Sequence, residues 1–521
     1  METNRQVAKM SSIMIIIAVA GGLLTVLREA LIAKYFGLSS AVDAFYISSV
    51  FPEIVIGIIT TTFASVFVPV FCRINSEKGP AGANRAISNT VAVFLAVSCA
   101  AALAYYAFNG LFLQLFFSKI DAGTALVAAR LSRIMALYIP LGAAVGLLAN
   151  IHYSKDNFVL GSASAYAVTL ITIAMLVWFA GVSGVIVLPA ALLIGTGVQL
   201  AVLFLYDKER YEYFKKDIAC FAETASNFRN MALFFAAISI SAFGPAIDRM
   251  MASWLIPGSV ACLAYANKLV VFPINLVANS IVTVLFPYFA AQAARDEKAA
   301  MIDSLTKSLR VAAMLLIPLT IMLILTSDSL ITLLYKHGRF DNAAKDMMVS
   351  VFNCYSLQLY FYTASLIMIR AMLALREIKM LLILTLVSFA CNVAFNLIFM
   401  QFLNPKVAGI ALSTSLVHLQ GALFLFIVLR KRFLGQFGGG LKASFGHAAA
   451  CSIISGALVY ALITVSDGCC AGNIGQAARL AAIFGAWGIS VILYYTKVAR
   501  VNEFTVFLGL IKERLFGGKQ L

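Results

Sequence analysis

Charge is scarce in this chain. Asp, Glu, Lys and Arg make up 12% of its 521 residues, about half the ~25% of an ordinary soluble protein. Histidine is scarcer still, with His152, His337, His418 and His447 scattered over four segments. There is no HExxH metal motif, no GxSxG nucleophile turn and no glycine-rich phosphate loop. The cysteines show no metal-ligand spacing; Cys99, Cys262, Cys391 and Cys451 sit in apolar runs as small packed residues, while Cys469 and Cys470 are adjacent in a loop. These absences exclude a soluble enzyme, a zinc domain and a disulfide-built secreted fold.

What fills the space is apolar. Hydrophobic residues reach 62% and mean hydropathy is +0.94. At about 20 apolar residues per crossing, the chain reads as an all-α polytopic membrane protein of about 14 transmembrane helices. The segments fall near 10–36, 41–73, 84–117, 124–151, 158–180, 184–206, 226–255, 259–292, 305–334, 343–373, 378–403, 407–430, 443–465 and 474–497. No small-residue cleavage site follows the first run, so it is expected to be retained as a span.

The net charge of +16, from 39 Lys+Arg against 23 Asp+Glu, calls for no nucleic-acid partner. Even-numbered connections and both termini hold most of the Lys and Arg, whereas the odd-numbered connections hold Lys34, Lys119, Lys336, Arg339, Lys345 and Lys406. By the positive-inside rule both termini face the cytoplasm, as an even span number requires. The charged stretch Asp207 to Ala225 and the glycine-rich Gly435 to Gly440 divide the chain into an N-lobe over 1–218, a C-lobe over 219–434, and a last helix pair with its tail over 435–521. In that tail Phe504, Phe507, Leu508 and Ile511 recur at helical spacing, which suits a helix lying on the membrane surface.

The halves repeat. Arg28 stands 24 residues before Pro52, and Arg249 stands 24 before Pro273. A second proline follows each, Pro69 and Pro287, at offsets of 17 and 14, and then a charged loop. With six spans per half, both copies enter the membrane in the same direction, a parallel repeat of the kind transporters use. The alternative is a chance match of two proline-kinked hairpins.

Ionisable residues within spans are costly and usually face a cavity or a partner. Here Arg28, Glu29, Asp43 and Glu53 open the first half, and Asp248, Arg249 and Lys268 open the second. Arg28 lies about 27 Å along its helix from Met10. Glu29 points about 100° away from it, so it cannot fully neutralise it on the same face. Arg28 is either a functional cation in a watery cavity, where its fork suits phosphate, or half of a structural pair. Arg130 and Arg133, three apart on the fourth span, share a face near its outer end; they either act on a ligand or snorkel.

The stretches LREALIAKYFGLSSAVDAFYISSVFP (Leu27 to Pro52), IDRMMASWLIPGSVACLAYANKLVVFP (Ile247 to Pro273) and LLYKHGRFD (Leu333 to Asp341) resemble the MurJ/MviN family of the multidrug/oligosaccharidyl-lipid/polysaccharide exporter superfamily. The resemblance runs in order over most of the chain. It implies a monomeric inner-membrane flippase for undecaprenyl-pyrophosphate-linked sugars, lipid II in the best-known case. The fold it implies is two six-helix lobes around a V-shaped cavity, with a lipid-tail groove on the last two helices. It also implies that Arg28 and Asp43 match a cavity arginine and the aspartate of the DAF motif, and that Lys268 stands where arginine is usual. Glu53 and Arg249 join these as substrate-binding candidates. Asp248 resembles an aspartate that in some relatives binds sodium with eleventh-helix oxygens, where this chain offers Asn392 and Asn396; a plain hydrogen-bonded helix contact is the alternative. No cofactor is implied, while coupling to sodium, protons or the membrane potential stays open.

Two family cations are missing. Gly22 stands six residues before Arg28, and Ile56 four after Pro52, where the family commonly has arginine. That weakens a pyrophosphate cradle and brings forward another lipid-linked oligosaccharide, of an O-antigen or exopolysaccharide, as cargo. A membrane polysaccharide ligase fits less well, because the longest odd-numbered connection is about a dozen residues. A scaffold does not explain the repeated intramembrane charges. A drug-efflux relative shares the twelve-helix core but not the two extra helices.

Overall fold

A computed structural model describes residues 2–155, 157–206, 232–433, 435–466, 472–501, 504–505 and 509. Among the described residues the chain is helical throughout, without strands. By internal contacts it divides into two compact units, 20–264 and 1–19 with 265–521.

The first unit holds most of α1 (Glu2–Phe36), then α2 (Ser40–Thr62), α3 (Val68–Phe116), α4 (Ala122–Ser154), α5 (Phe158–Ala163), α6 (Tyr166–Ser183), α7 (Val187–Leu205), α8 (Ala232–Ala242), α9 (Gly244–Ala252) and the start of α10 (Ser259–Ala294). The second holds the rest of α10, then α11 (Lys298–Tyr335), α12 (Asn342–Ser356), α13 (Gln358–Ala374), α14 (Ile378–Phe402), α15 (Lys406–Arg432), α16 (Leu441–Ser466) and α17 (Gly472–Leu493).

Twelve described stretches are long and apolar enough to cross a membrane. One of them, Phe158–Leu205, is 48 residues long and contains two expected crossings, separated where Gly184 takes φ +58. The crossing expected at 226–255 is met by α8 and α9, each too short to span alone, and residues 207–231 lie outside the described residues. The linker expected at 207–225 lies there too, as does the Cys469–Cys470 pair.

Local chemistry explains the helix ends. Gly37, at φ +64, closes α1 with its N–H on the Ala33 carbonyl at 2.7 Å, the left-handed stop for which glycine is suited. Ser39, in extended conformation, then starts α2. Asp121 caps α4, accepting from the Thr124 N–H at 2.8 Å and its hydroxyl at 2.6 Å. Those two bonds hold the Asp121 carboxyl below its usual range. The motif Leu333 to Asp341 is a turn between helices: Gly338 is at φ +62, and the Asp341 carboxylate accepts the Ala344 N–H at 2.8 Å to open α12.

Pro52 sits inside an unbroken α2, and a five-residue π-turn, Phe63–Phe67, precedes Pro69. The charged stretch expected to link the second and third crossings lies within α3, where Gly79 at φ +70 divides it into two helical pieces.

α2 and α4 meet closely. A Cβ on Gly142 would lie 2.5 Å from Ile56 Cδ1, so glycine is what lets the two helices approach. Ile59, Phe63, Ala143, Leu147 and Ile151 bury themselves along this seam. In the second unit α16 and α17 pack on α11. Phe504 of the tail is buried there, 4.7 Å from the Tyr495 ring. It belongs to the protein's own core rather than to a surface helix, while Phe507, Leu508 and Ile511 lie outside the described residues.

Candidate functional site

In the unit 20–264 the intramembrane charges form two linked pairs. On α1, an Arg28 terminal nitrogen lies 2.5 Å from Glu29 Oε1, and the Tyr46 hydroxyl of α2 donates to Glu29 Oε2 at 2.7 Å. Glu29 is 1% exposed, whereas the Arg28 side chain keeps 20% of its surface open. Its Nε is buried and has no partner among the described residues. The carboxylate thus spends both oxygens within the protein, while the guanidinium retains unused donors. The two pair despite Cβ directions about 100° apart, because both side chains are long enough to turn toward each other.

The second pair joins α9 to α2. Arg249 lies 2.8 Å from Glu53 Oε2 and donates to the Ser49 hydroxyl at 3.2 Å, and Ser49 in turn donates to Glu53 Oε1 at 2.9 Å. Tyr138 of α4 lies within electrostatic range of both Arg28 and Glu53. Glu53 and Arg249, which sequence spacing alone placed in opposite halves, therefore form one charged patch, with Tyr138 in range of both it and Arg28.

Glu53 is 48% exposed and Arg249 20%. A pair this open contributes about 0–1 kcal/mol. Glu53→Gln is accordingly expected to change stability by less than about 1 kcal/mol, yet to tighten binding of an anionic ligand, with inorganic pyrophosphate as the probe, because Arg249 loses a competing carboxylate. Unchanged or weaker binding by the purified variant would show that Glu53 does not mask Arg249.

Asp43 has a different place. It is buried, and its carboxylate oxygens accept the N–H groups of Gly258 at 2.6 Å and Ala261 at 2.8 Å. Those amides open α10, so a side chain of α2 caps a helix more than 200 residues away in sequence. Gly258, at φ +88, lies so near the Leu38 carbonyl that a Cβ there would stand 2.6 Å from its oxygen. The two longest family-like stretches thus meet at one joint.

The remaining candidates are divided between the two units. Asp248 is buried in the unit 20–264. Asn392 and Asn396 are buried on α14 in the other unit, with Asn396 Nδ2 at 3.5 Å from Asn392 Oδ1, so these two share a face as their spacing requires. Lys268, also in that unit, is exposed on α10. Ile56, where the family commonly has arginine, is the residue packed on Gly142.

Sequence reasoning missed Tyr46, Ser49 and Tyr138. A signal for Tyr46 existed: Glu29 stands eight residues before the Gly37 turn and Tyr46 nine after it, so an antiparallel hairpin brings them opposite. None existed for Tyr138.

The fold defines the class first. A solved inward-facing multidrug-resistance MATE transporter of the MOP superfamily superposes with a TM-score of 0.65 at 13% identity, covering 80% of this chain and 98% of that one. A solved lipid II flippase MurJ in an inward closed conformation superposes with a TM-score of 0.78 at 21% identity, covering 94% of this chain and all of that one. The chain shares the fold of these two solved proteins. A probable lipid II flippase MurJ of Thermotoga maritima is 24% identical over 492 residues, 91% of this chain and 93% of the relative. The family model described as lipid II flippase MurJ matches residues 32–471, and the chain belongs to that family, one of transporters rather than enzymes.

Proposed function

We propose that the protein moves lipid II, an undecaprenyl-pyrophosphate-linked peptidoglycan precursor, from the inner to the outer leaflet of the bacterial inner membrane by alternating access. The observation that carries this reading is Arg28, a partly open guanidinium fixed by a buried carboxylate in a chain of the lipid II flippase MurJ family. A planar fork held in this way binds two oxygens of a pyrophosphate at once. Arg249 supplies a second guanidinium in the same unit. Lys268 is a further cation toward the same cargo, and Asp43 acts by holding the start of α10 rather than by touching substrate.

The Lys and Arg distribution supports cytoplasmic termini. The repeated Arg–Pro hairpins support two six-helix lobes, 1–218 and 219–434, with a helix pair after 435, in a protein working as a monomer. Asn392 and Asn396, sharing a face of α14, are oxygen donors of a sodium site that couples transport, oxygen ligands being suited to a hard cation, and Asp248 is a further candidate donor for such a cation.

The test is rescue of cells depleted of their own lipid II flippase, with the protein verified in the membrane. Growth is expected. Failure there together with restoration of a missing O-antigen or exopolysaccharide would transfer the proposal to that cargo, a reading that Gly22 and Ile56 favour. In the same assay Asp248→Asn should impair rescue, and flipping in vesicles should depend on sodium; indifference to both would remove the cation site alone.

A further inference from the structure

Arg130 and Arg133 take no part in the charged patch. Both are exposed on α4, and neither makes an ion pair or a side-chain hydrogen bond among the described residues. They stand in a stripe with Leu126 and Leu137, which are 57% and 61% exposed. The spacings of four, three and four residues put all four side chains on one face. Through its other sides α4 packs on α2, α3 and α7. A stripe of open leucines on an apolar crossing helix meets acyl chains, so two guanidinium groups between them require an anion or water within reach.

Depth decides which. The 33 residues of α4 make a rod about 50 Å long, against a hydrocarbon core of about 30 Å. Arg130 and Arg133 lie about 13 and 18 Å from Asp121 along that rod, within a few ångströms of the hydrocarbon boundary when the rod stands centred. Side chains on a helix lean toward its N-terminus, so both lean toward the Asp121 end. That end bears interfacial chemistry of its own: the Lys119 ammonium sits 4.4 Å from the centre of the Trp254 ring, the amphipathic pairing expected at headgroup level.

We propose that Arg130 and Arg133 bind the phosphate of an anionic glycerophospholipid headgroup in the leaflet at the Asp121 end of α4. One turn apart, the two forks bracket a single phosphate, while Leu126 and Leu137 lie along its acyl chains. The site depends on α4 crossing the membrane and not on the identity of the transported cargo.

Native mass spectrometry of the purified full-length protein, titrated with phosphatidylglycerol or phosphatidylcholine, tests this. The wild type should retain phosphatidylglycerol in preference to phosphatidylcholine, and Arg130→Ala/Arg133→Ala should lower that retention about tenfold through loss of two charge-assisted contacts. Arg133→Gln, a milder change should the double variant not fold, is expected to lower it by roughly half that on a logarithmic scale. Equal retention by wild type and Arg133→Gln would overturn the site. So would a stripe that takes undecaprenyl pyrophosphate in preference to phosphatidylglycerol, since it would then belong to the cargo's route.

Discussion

Arg28→Ala should abolish rescue of flippase-depleted cells, the largest functional loss expected from any single side chain here. A phosphate contact made through a fork is charge-assisted and bidentate, and no neighbour on α1 replaces it. The substitution also strips a carboxylate that is 1% exposed of its charge partner, leaving the Tyr46 hydroxyl on Glu29. Breaking a buried pair from one side costs about 3–5 kcal/mol, so Arg28→Ala alone confounds transport with folding. Arg28→Ala/Glu29→Gln separates them. The amide fills the same space without a buried charge, and the double variant should recover membrane level but not transport. Arg28→Lys keeps the charge and loses the fork; a fall of about tenfold or more in flipping rate, one bidentate contact's worth, is expected. Normal transport by the double variant would make Arg28 a structural charge.

The sequence made the class plain because membrane crossing is a demand on composition. A 21-residue stretch such as Ile16–Phe36 must be predominantly apolar, as it is despite Arg28, Glu29 and Lys34, and that survives without any knowledge of neighbours. Turn chemistry was equally local, since Gly37, Ser39, Asp121 and Asp341 each act on backbone within four residues. What stayed hidden depended on contacts between distant segments. Arg249 and Glu53 are 196 positions apart, and helical spacing says nothing about which α2 residue faces α9. Ile56 read as a lost cation, whereas in the fold it is a packing residue whose partner, Gly142, has no side chain to resist it. The Arg28–Glu29 pair escaped for the opposite reason. Angular position on a helix describes Cβ directions, and two long side chains can bridge a separation that Cβ directions forbid.

Asp43→Ala should lose stability on a scale comparable with Arg28→Ala, with transport failing as a consequence. Two backbone N–H groups at the start of α10 now end on one buried carboxylate, at 2.6 and 2.8 Å. Hydrogen bonds to a charged acceptor contribute about 1.5–3 kcal/mol each, and a buried donor left unpaired costs about 1–3 kcal/mol. A loss on the order of 3 kcal/mol is expected for Asp43→Ala, read as a fall in the melting temperature of the purified protein. Asp43→Asn should lose less, because its amide oxygen still accepts one bond while its NH2 faces the other donor. Gly258→Ala approaches the same joint from the other side. At φ +88 an added methyl is strained, and it meets the Leu38 carbonyl at 2.6 Å, a backbone atom that cannot rotate aside. If the joint is one unit, Asp43→Asn and Gly258→Ala together should destabilise by clearly less than the sum of their separate effects. Strict additivity would mean that the cap and the glycine turn act independently, and that Asp43 matters through its charge and not through α10.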